Sequence, residues 1–160
     1  MFPVKRLWID RDKNIRKKWK NLLQANDLYP DDMVDYSIGI YDGSRLIGTA
    51  STYQNIIKFV AICGDYQEHN LLTQLITTLT NHLWDKGETQ MFLYTKPDSA
   101  KYFSSLGFKM IVESDSVSLM ERGTPTFEDY AHKLEKVKVD TKNNGGIVMN
   151  ANPFTKGHLY

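Results

Sequence analysis

Apolar residues recur along this chain with two different periods, and the points where one gives way to the other outline its elements. Ile15, Trp19, Leu22 and Leu23 fall at i, i+4, i+7 and i+8, the spacing of one helix face. Tyr36 to Tyr41 alternates with period two and ends at Asp42-Gly43, a hairpin signal, so Arg45 to Tyr53 is predicted as the return strand. Ile56 to Cys63, carrying Ile56, Ile57, Phe59, Val60, Ala61 and Ile62, is the most apolar stretch and reads as a central strand covered on both faces. Gly64-Asp65-Tyr66 breaks it. From Asn70 onward Leu71, Leu72, Leu75, Ile76, Leu79 and Leu83 repeat at helical spacing as far as Lys86-Gly87, a cation in the last turn followed by a glycine stop.

Met91 to Tyr94 is a further short buried strand, and Asp98 or Ser99 is placed to cap a helix that ends at Leu106-Gly107. Phe108 to Glu113 and Val117 to Glu121 form a strand pair around Ser114-Asp115-Ser116. Thr124-Pro125-Thr126 opens a final helix, with Thr126 and Asp129 at capping-box spacing and Phe127, Tyr130, Ala131, Leu134 and Val137 on one face. Val139 to Asn144 is polar and aperiodic, as a linker is. After it Gly145-Gly146-Ile147-Val148-Met149-Asn150 reads as a buried strand running into Ala151-Asn152-Pro153-Phe154-Thr155-Lys156-Gly157-His158. A strand that turns over a proline and a glycine to set a histidine at a helix start is a phosphate-handling arrangement. The chain thus divides into a domain over 1–138, a linker over 139–144 and the first strand and turn of a second unit over 145–160. A strand without parallel neighbours leaves backbone groups unpaired, so 139–160 is expected to be disordered, or to pack on the first domain or another copy.

Composition narrows the class. A chain of 160 residues, 41% apolar and 24% charged, supports one full-sized globular core. No run approaches the roughly 18 apolar residues of a membrane helix, and no start segment has a signal-peptide pattern. Cys63 is the single cysteine, which excludes an intrachain disulfide; the expected home is the cytoplasm. A net charge of +1 gives no global field for nucleic acid, yet Arg11, Lys13, Arg16, Lys17, Lys18 and Lys20 crowd the first helix. Lys13, Lys17 and Lys20 fall away from its apolar face, either as a solvated basic face or as a docking surface for an acidic partner protein. Trp8, Trp19 and Trp84 sit among apolar residues and are expected in the core. Cys63 is expected to be an inert buried thiol, and His82 and His132, without a second ligand at metal-site spacing, surface residues.

The order helix, hairpin strands, long buried strand, helix, strand, short helix, strand resembles the GNAT acyltransferase family. Its most specific piece here is Asp98-Ser99-Ala100-Lys101-Tyr102-Phe103-Ser104-Ser105-Leu106-Gly107-Phe108. The resemblance implies an α/β (α+β) fold, a mixed and largely antiparallel sheet flanked by helices. It also implies a groove for acetyl-CoA, with Val60 to Ile62 offering strand-edge hydrogen bonds to the pantetheine. Gln67, Glu68, His69 and Asn70 then stand where the family's glycine-rich turn holds the pyrophosphate. Both glycines of that turn are absent, and Glu68 puts a carboxylate where a diphosphate would sit, at a Coulomb cost of about 1 kcal/mol or more. The family's acidic tyrosine aligns with Phe103, and Tyr102 is adjacent. Glu68 and His69 read either as an acid/base pair or as polar residues capping the helix.

Taken with Met91-Phe92-Leu93-Tyr94-Thr95-Lys96-Pro97 and the segment 146–158, the chain resembles the N-terminal part of the citrate lyase ligase family. That family joins a GNAT-like domain to a nucleotidyltransferase domain. It uses ATP and acetate to acetylate the prosthetic-group thiol of the citrate lyase acyl carrier subunit, releasing AMP and pyrophosphate. The resemblance therefore implies ATP with Mg as cofactor and the carrier subunit as partner. Its His-x-Gly-His signature reads Thr155-Lys156-Gly157-His158 here, which implies ATP contacts at Asn152, Phe154, Thr155, Gly157 and His158. His158 would donate to charge at the α-phosphate. The 160 residues alone are expected to lack ligase activity. Two other functions stay open: an acetyl-CoA-dependent N-acyltransferase, and a noncatalytic module that docks the carrier.

Overall fold

The computed structural model describes residues 2–66, 70–143 and 145. The elements, in chain order, are β1 (Val4–Arg6), α1 (Lys13–Gln24), β2 (Tyr36–Asp42), β3 (Arg45–Tyr53), β4 (Ile56–Ile62), α2 (Leu71–Asp85), β5 (Gln90–Thr95), α3 (Pro97–Ser104), β6 (Lys109–Glu113), β7 (Ser118–Gly123) and α4 (Phe127–Glu135). The strands form one seven-stranded sheet in the order β1-β2-β3-β4-β5-β7-β6. Every pairing is antiparallel except that of β4 with β5. This is the mixed, largely antiparallel sheet that the family resemblance implies; the three-residue β1 is too short to show a period.

The helices make two outer layers. On one side α1 begins where the Asp12 carboxylate accepts the backbone N–H groups of Asn14 (2.8 Å) and Ile15 (3.0 Å). It buries Trp19, Leu22 and Leu23 with Leu7, Leu46 and Ala61. On the other side α2 buries Leu71, Leu75, Ile76, Leu79 and Leu83 against Ile38, Ile40, Ile47, Ile57, Met91 and Leu93. Four threonines weaken α2 by roughly 0.5 kcal/mol each, whereas each buried Leu or Ile contributes about 1.5–3 kcal/mol. Packing therefore decides that this segment is a helix. α3 completes that layer through Ala100 and Phe103.

Several expectations are corrected. Within β4 only Ile57 and Ala61 are buried, because its second half has no strand beside it on the β5 side. α3 is preceded by Lys96 in extended conformation and starts at Pro97, with no side-chain cap from Asp98 or Ser99. Proline at the first helical position needs no N–H partner and presets φ. Of the tryptophans only Trp19 is in the core. Trp8 and Trp84 are 45% and 44% exposed, under the guanidinium groups of Arg6 and Arg11 and of Arg122 respectively. Cys63 is half-buried rather than buried, and the Arg45 Nη2 donates to its sulfur at 2.8 Å. His82 is stacked on Tyr36 with ring centroids 3.6 Å apart. The capping box of α4 is formed as expected, with Thr126 and Asp129 bonding reciprocally, but no residue of that helix is buried. Among the described residues no helix is long and apolar enough to cross a membrane.

Candidate functional site

The site begins with an irregularity in β4. Thr49 of β3 faces Ala61 and Ser51 faces Lys58, so Phe59 and Val60 together oppose the single residue Ala50. This is a β-bulge, and Phe59 adopts φ +55 to make it. The extra residue reverses which side of the sheet each later side chain takes. Ile57 lies in the core under α2, whereas Ala61, also odd-numbered, lies in the cluster under α1. Phe59 packs edge-on against Trp19 at 5.7 Å.

Beyond the bulge β4 and β5 separate. They pair only at Ile56 with Phe92 and Ile57 with Leu93, and the remaining residues diverge into a V. The opening is a cavity of about 330 Å³. Its walls are Phe59, Val60 and Ile62 of β4, Tyr94 and Thr95 of β5, Lys96, and Ser99, Tyr102 and Phe103 of α3, with Leu72 of α2 at one end. Asn26 and Leu28, from the loop after α1, close another side. This size is at the lower end of small-molecule sites, and the mixture of apolar walls with a few hydroxyls is usual for them. Lys96 reaches across to that loop, its ammonium 3.6 Å from the Asp27 carboxylate and 3.5 Å from the Asn26 carbonyl oxygen. Both partners are exposed, so the pair contributes little stability. α2, whose Leu72 lines the cleft, starts from Asn70, which has φ +56 and gives no side-chain cap. The Asn70 side chain thus takes none of the backbone donors of the first turn.

The predicted residues Val60 and Ile62 do line the cleft, and Asn70 stands at the start of α2. Gln67, Glu68 and His69 lie outside the described residues. So do Asn152, Phe154, Thr155, Gly157 and His158, together with all but the first residue of the strand expected over 145–150. Among the described lining residues none is a carboxylate or an imidazole. Phe103 is buried at the cleft floor, and the neighbouring Tyr102 carries the exposed phenol. The sequence reading missed Asn26, Leu28, Tyr94, Thr95, Lys96 and Ser99. They meet only because two strands part, which no local period reports.

A mixed sheet splayed between β4 and β5, with a bulge at the splay, is the GNAT fold. Solved structures agree on the fold. Escherichia coli ElaA superposes with a TM-score of 0.64 at 14% identity, covering 76% of this chain and 99% of that one. The Escherichia coli ribosomal-protein-S18-alanine N-acetyltransferase gives 0.60 at 14% identity, over 79% and 96%. No family model matches the chain. Among curated proteins, the citrate pro-3S-lyase ligase of Haemophilus influenzae is 35% identical over 143 residues, 88% of this chain and 43% of that protein. The Klebsiella pneumoniae ligase is 32% identical over 158 residues, 98% of this chain and 46% of that protein. The chain is a GNAT-fold relative of the citrate lyase ligases, and it spans under half the length of the curated relatives it matches.

Proposed function

We propose that this chain is the GNAT-like part of an ATP-dependent acid–thiol ligase that acetylates the prosthetic-group thiol of the citrate lyase acyl carrier subunit. In this reading its cleft binds the pantetheine-like arm bearing that thiol and does not itself transfer acetyl groups to amines. ATP, with Mg, and acetate would be handled by the motif at Asn152 to His158, with His158 at the α-phosphate. The observation that carries the proposal is the splay of β4 from β5 in a relative of the ligases. Strand edges that part without a neighbour leave backbone N–H and C=O groups free to pair with the two amides of a pantetheine chain. Apolar side chains of Val60, Ile62 and Leu72 suit its methylene segments.

Transfer from acetyl-CoA to an amine is the competing chemistry, and the structural neighbours favour it by fold. It needs a base for the ammonium and an acid for the departing thiolate. Among the described lining residues the phenols of Tyr94 and Tyr102 are available as the acid, but no carboxylate or imidazole is there to serve as the base. Binding a thiol arm requires neither.

The test is thermal unfolding of the 160-residue chain with millimolar coenzyme A, acetyl-CoA and phosphopantetheine, beside a Ser99→Trp variant whose indole fills the cleft. Stabilisation by all three, lost in the variant, is expected, since ligand at about 100 times its Kd adds roughly 2.7 kcal/mol. No stabilisation by any of them would overturn the cleft assignment. Acetylation of an amine at the expense of acetyl-CoA would replace it with the acyltransferase reading. In the longer ligase, Ser99→Trp is expected to raise KM for the carrier thiol and leave adenylate formation from ATP and acetate unchanged.

A further inference from the structure

Helix α4 is fixed at its base and bare along its length. The buried Glu121 carboxylate accepts the Phe127 N–H (2.9 and 2.8 Å to its two oxygens) and the Gln90 side-chain amide (2.9 Å). Thr124 N–H donates to the Thr89 carbonyl oxygen at 2.9 Å, which ties the entry to the helix to the residue before β5. Past that anchor no residue of α4 is buried. Phe127, Tyr130, Leu134 and Val137 are 49%, 56%, 50% and 72% exposed. Val137 still follows the helical spiral, since its N–H donates to the Leu134 carbonyl oxygen at 3.1 Å.

These four residues follow one another at steps of three, four and three. That is the a/d spacing of a coiled-coil seam, narrower than the face a helix turns toward its own domain. A stripe of this shape, on a helix whose direction is already set, suits a second helix laid along it. The charges say which helix. The first turn carries Glu128 and Asp129 and no cation, while the last turn and the residues after it carry Lys133, Lys136 and Lys138 against Glu135 alone. The two ends of the stripe are therefore opposite in sign and equal in size, which makes α4 the complement of its own reverse.

We propose that α4 is the seam of a two-fold homodimer, in which the helices of two copies pair antiparallel through Phe127, Tyr130, Leu134 and Val137. Laid this way, Phe127 of one copy meets Val137 of the other, Tyr130 meets Leu134, and each acidic end lies beside a basic one. A parallel pair would set like charges together at both ends. A half-exposed aromatic residue leaves about 100 Å² open, so the stripe offers roughly 400 Å² per copy. With the stems of the flanking lysines laid over its edges, the pair buries about 1,000 Å², the lower limit for specific association. The dimer is accordingly a weak one, dissociating in the micromolar range. The inference stands on packing and charge alone and is independent of the ligase reading.

Sedimentation of the full 160-residue chain across the micromolar range tests it, and reversible dimers are expected. Leu134→Glu places a carboxylate in the seam at an exposed position. It should weaken dimerisation at least tenfold and leave the unfolding midpoint of the dilute, monomeric chain in place. Added salt should weaken the wild-type dimer, and so should Lys133→Glu with Lys136→Glu. A chain that stays monomeric throughout would overturn the proposal. Dimers indifferent to Leu134→Glu would overturn it as well, since they must use another surface. Dimers that tighten as salt is raised would overturn the antiparallel arrangement, because only a parallel pair brings like charges together.

Discussion

Glu121 and Phe127 join the last strand to the last helix: the carboxylate of the first accepts the backbone N–H of the second at 2.8 and 2.9 Å, in a setting where Glu121 is 5% exposed. Glu121→Ala leaves both that N–H and the Gln90 amide without their acceptor. Hydrogen bonds to a charged group are worth about 1.5–3 kcal/mol, and part of the helix end regains water, so a loss of about 2–3 kcal/mol is expected in urea unfolding. Glu121→Gln keeps one acceptor oxygen and should lose less. Exchange of α4 amides should rise in Glu121→Ala more than that of α2, because the anchor is local to α4.

Gly123, two residues after Glu121, fixes the same junction by lacking a side chain. It has φ +104, and a Cβ there would overlap the Thr89 carbonyl oxygen. Gly107 also has positive φ, +88, but a Cβ at that position would meet only the Arg122 side chain at ordinary contact distance. Gly107→Ala should therefore cost only the backbone term, about 1–2 kcal/mol. Gly123→Ala adds a backbone collision and should cost more than about 3 kcal/mol. Equal losses in denaturant midpoints would contradict this difference in mechanism.

The two glycines show what could be read in advance and what could not. Gly107 follows an apolar helical run, and its role as a helix stop is a local signal. Gly123 lies beside Thr89 only after β5 and β7 have paired. The same division runs through the site. Val60 and Ile62 were legible as cleft residues through the family resemblance, and the helix of Leu71, Leu75 and Leu79 through its period. The bulge at Phe59 and Val60 interrupts no hydrophobic pattern, since nearly every residue from Ile56 to Ile62 is apolar. For that reason neither the reversal of facing after Phe59 nor the parting of β4 from β5 could be inferred. The exposure of α4 was hidden for the opposite reason: its apolar stripe is regular, and period alone does not say whether a partner is present.

His82 supplies a pH prediction. Its ring is stacked on Tyr36, and its pKa is pushed below the ordinary 6.5, first by partial burial and then by the cations Lys86 and Arg6. Arg6 also lies over Tyr36 at 3.8 Å, on the same aromatic column. Asp35 and Asp85 act the other way and do not reverse the direction. With the folded pKa depressed, both states are neutral above 6.5 and the group adds no pH dependence there. Below 6.5 the unfolded chain takes up a proton first, so stability falls with pH until the folded state is protonated as well. His82→Phe keeps a ring on Tyr36 and removes the proton. It should flatten the decline in unfolding midpoint below about pH 6.5, and an unchanged slope would rule His82 out as its source.

The basic side of α1 gives the sharpest test of a partner. Its twelve residues contain five cations and no acid. Arg16 pairs with Asp32 at 3.0 Å, and Lys18 donates to the Ser44 carbonyl at 2.8 Å, so those two are engaged within the fold. Lys13, Lys17 and Lys20 are exposed at i, i+4 and i+7, and the helix that bears them leads into the loop whose Asn26 and Leu28 form the cleft rim. An acidic carrier seated on that stripe would have its thiol arm close to the opening. Reversing the three lysines to glutamate should leave the unfolding midpoint nearly unchanged, because surface substitutions of this kind act within about 0.5 kcal/mol. Under the proposed function, in which the acyl carrier subunit is the partner, its binding measured by calorimetry is expected to weaken at least tenfold in the reversal, and to fall with salt in the wild type. Carrier binding that is indifferent both to the reversal and to salt would show that the stripe is only a solvated face. Carrier binding lost in Ser99→Trp but kept in the lysine variant would place recognition in the arm alone.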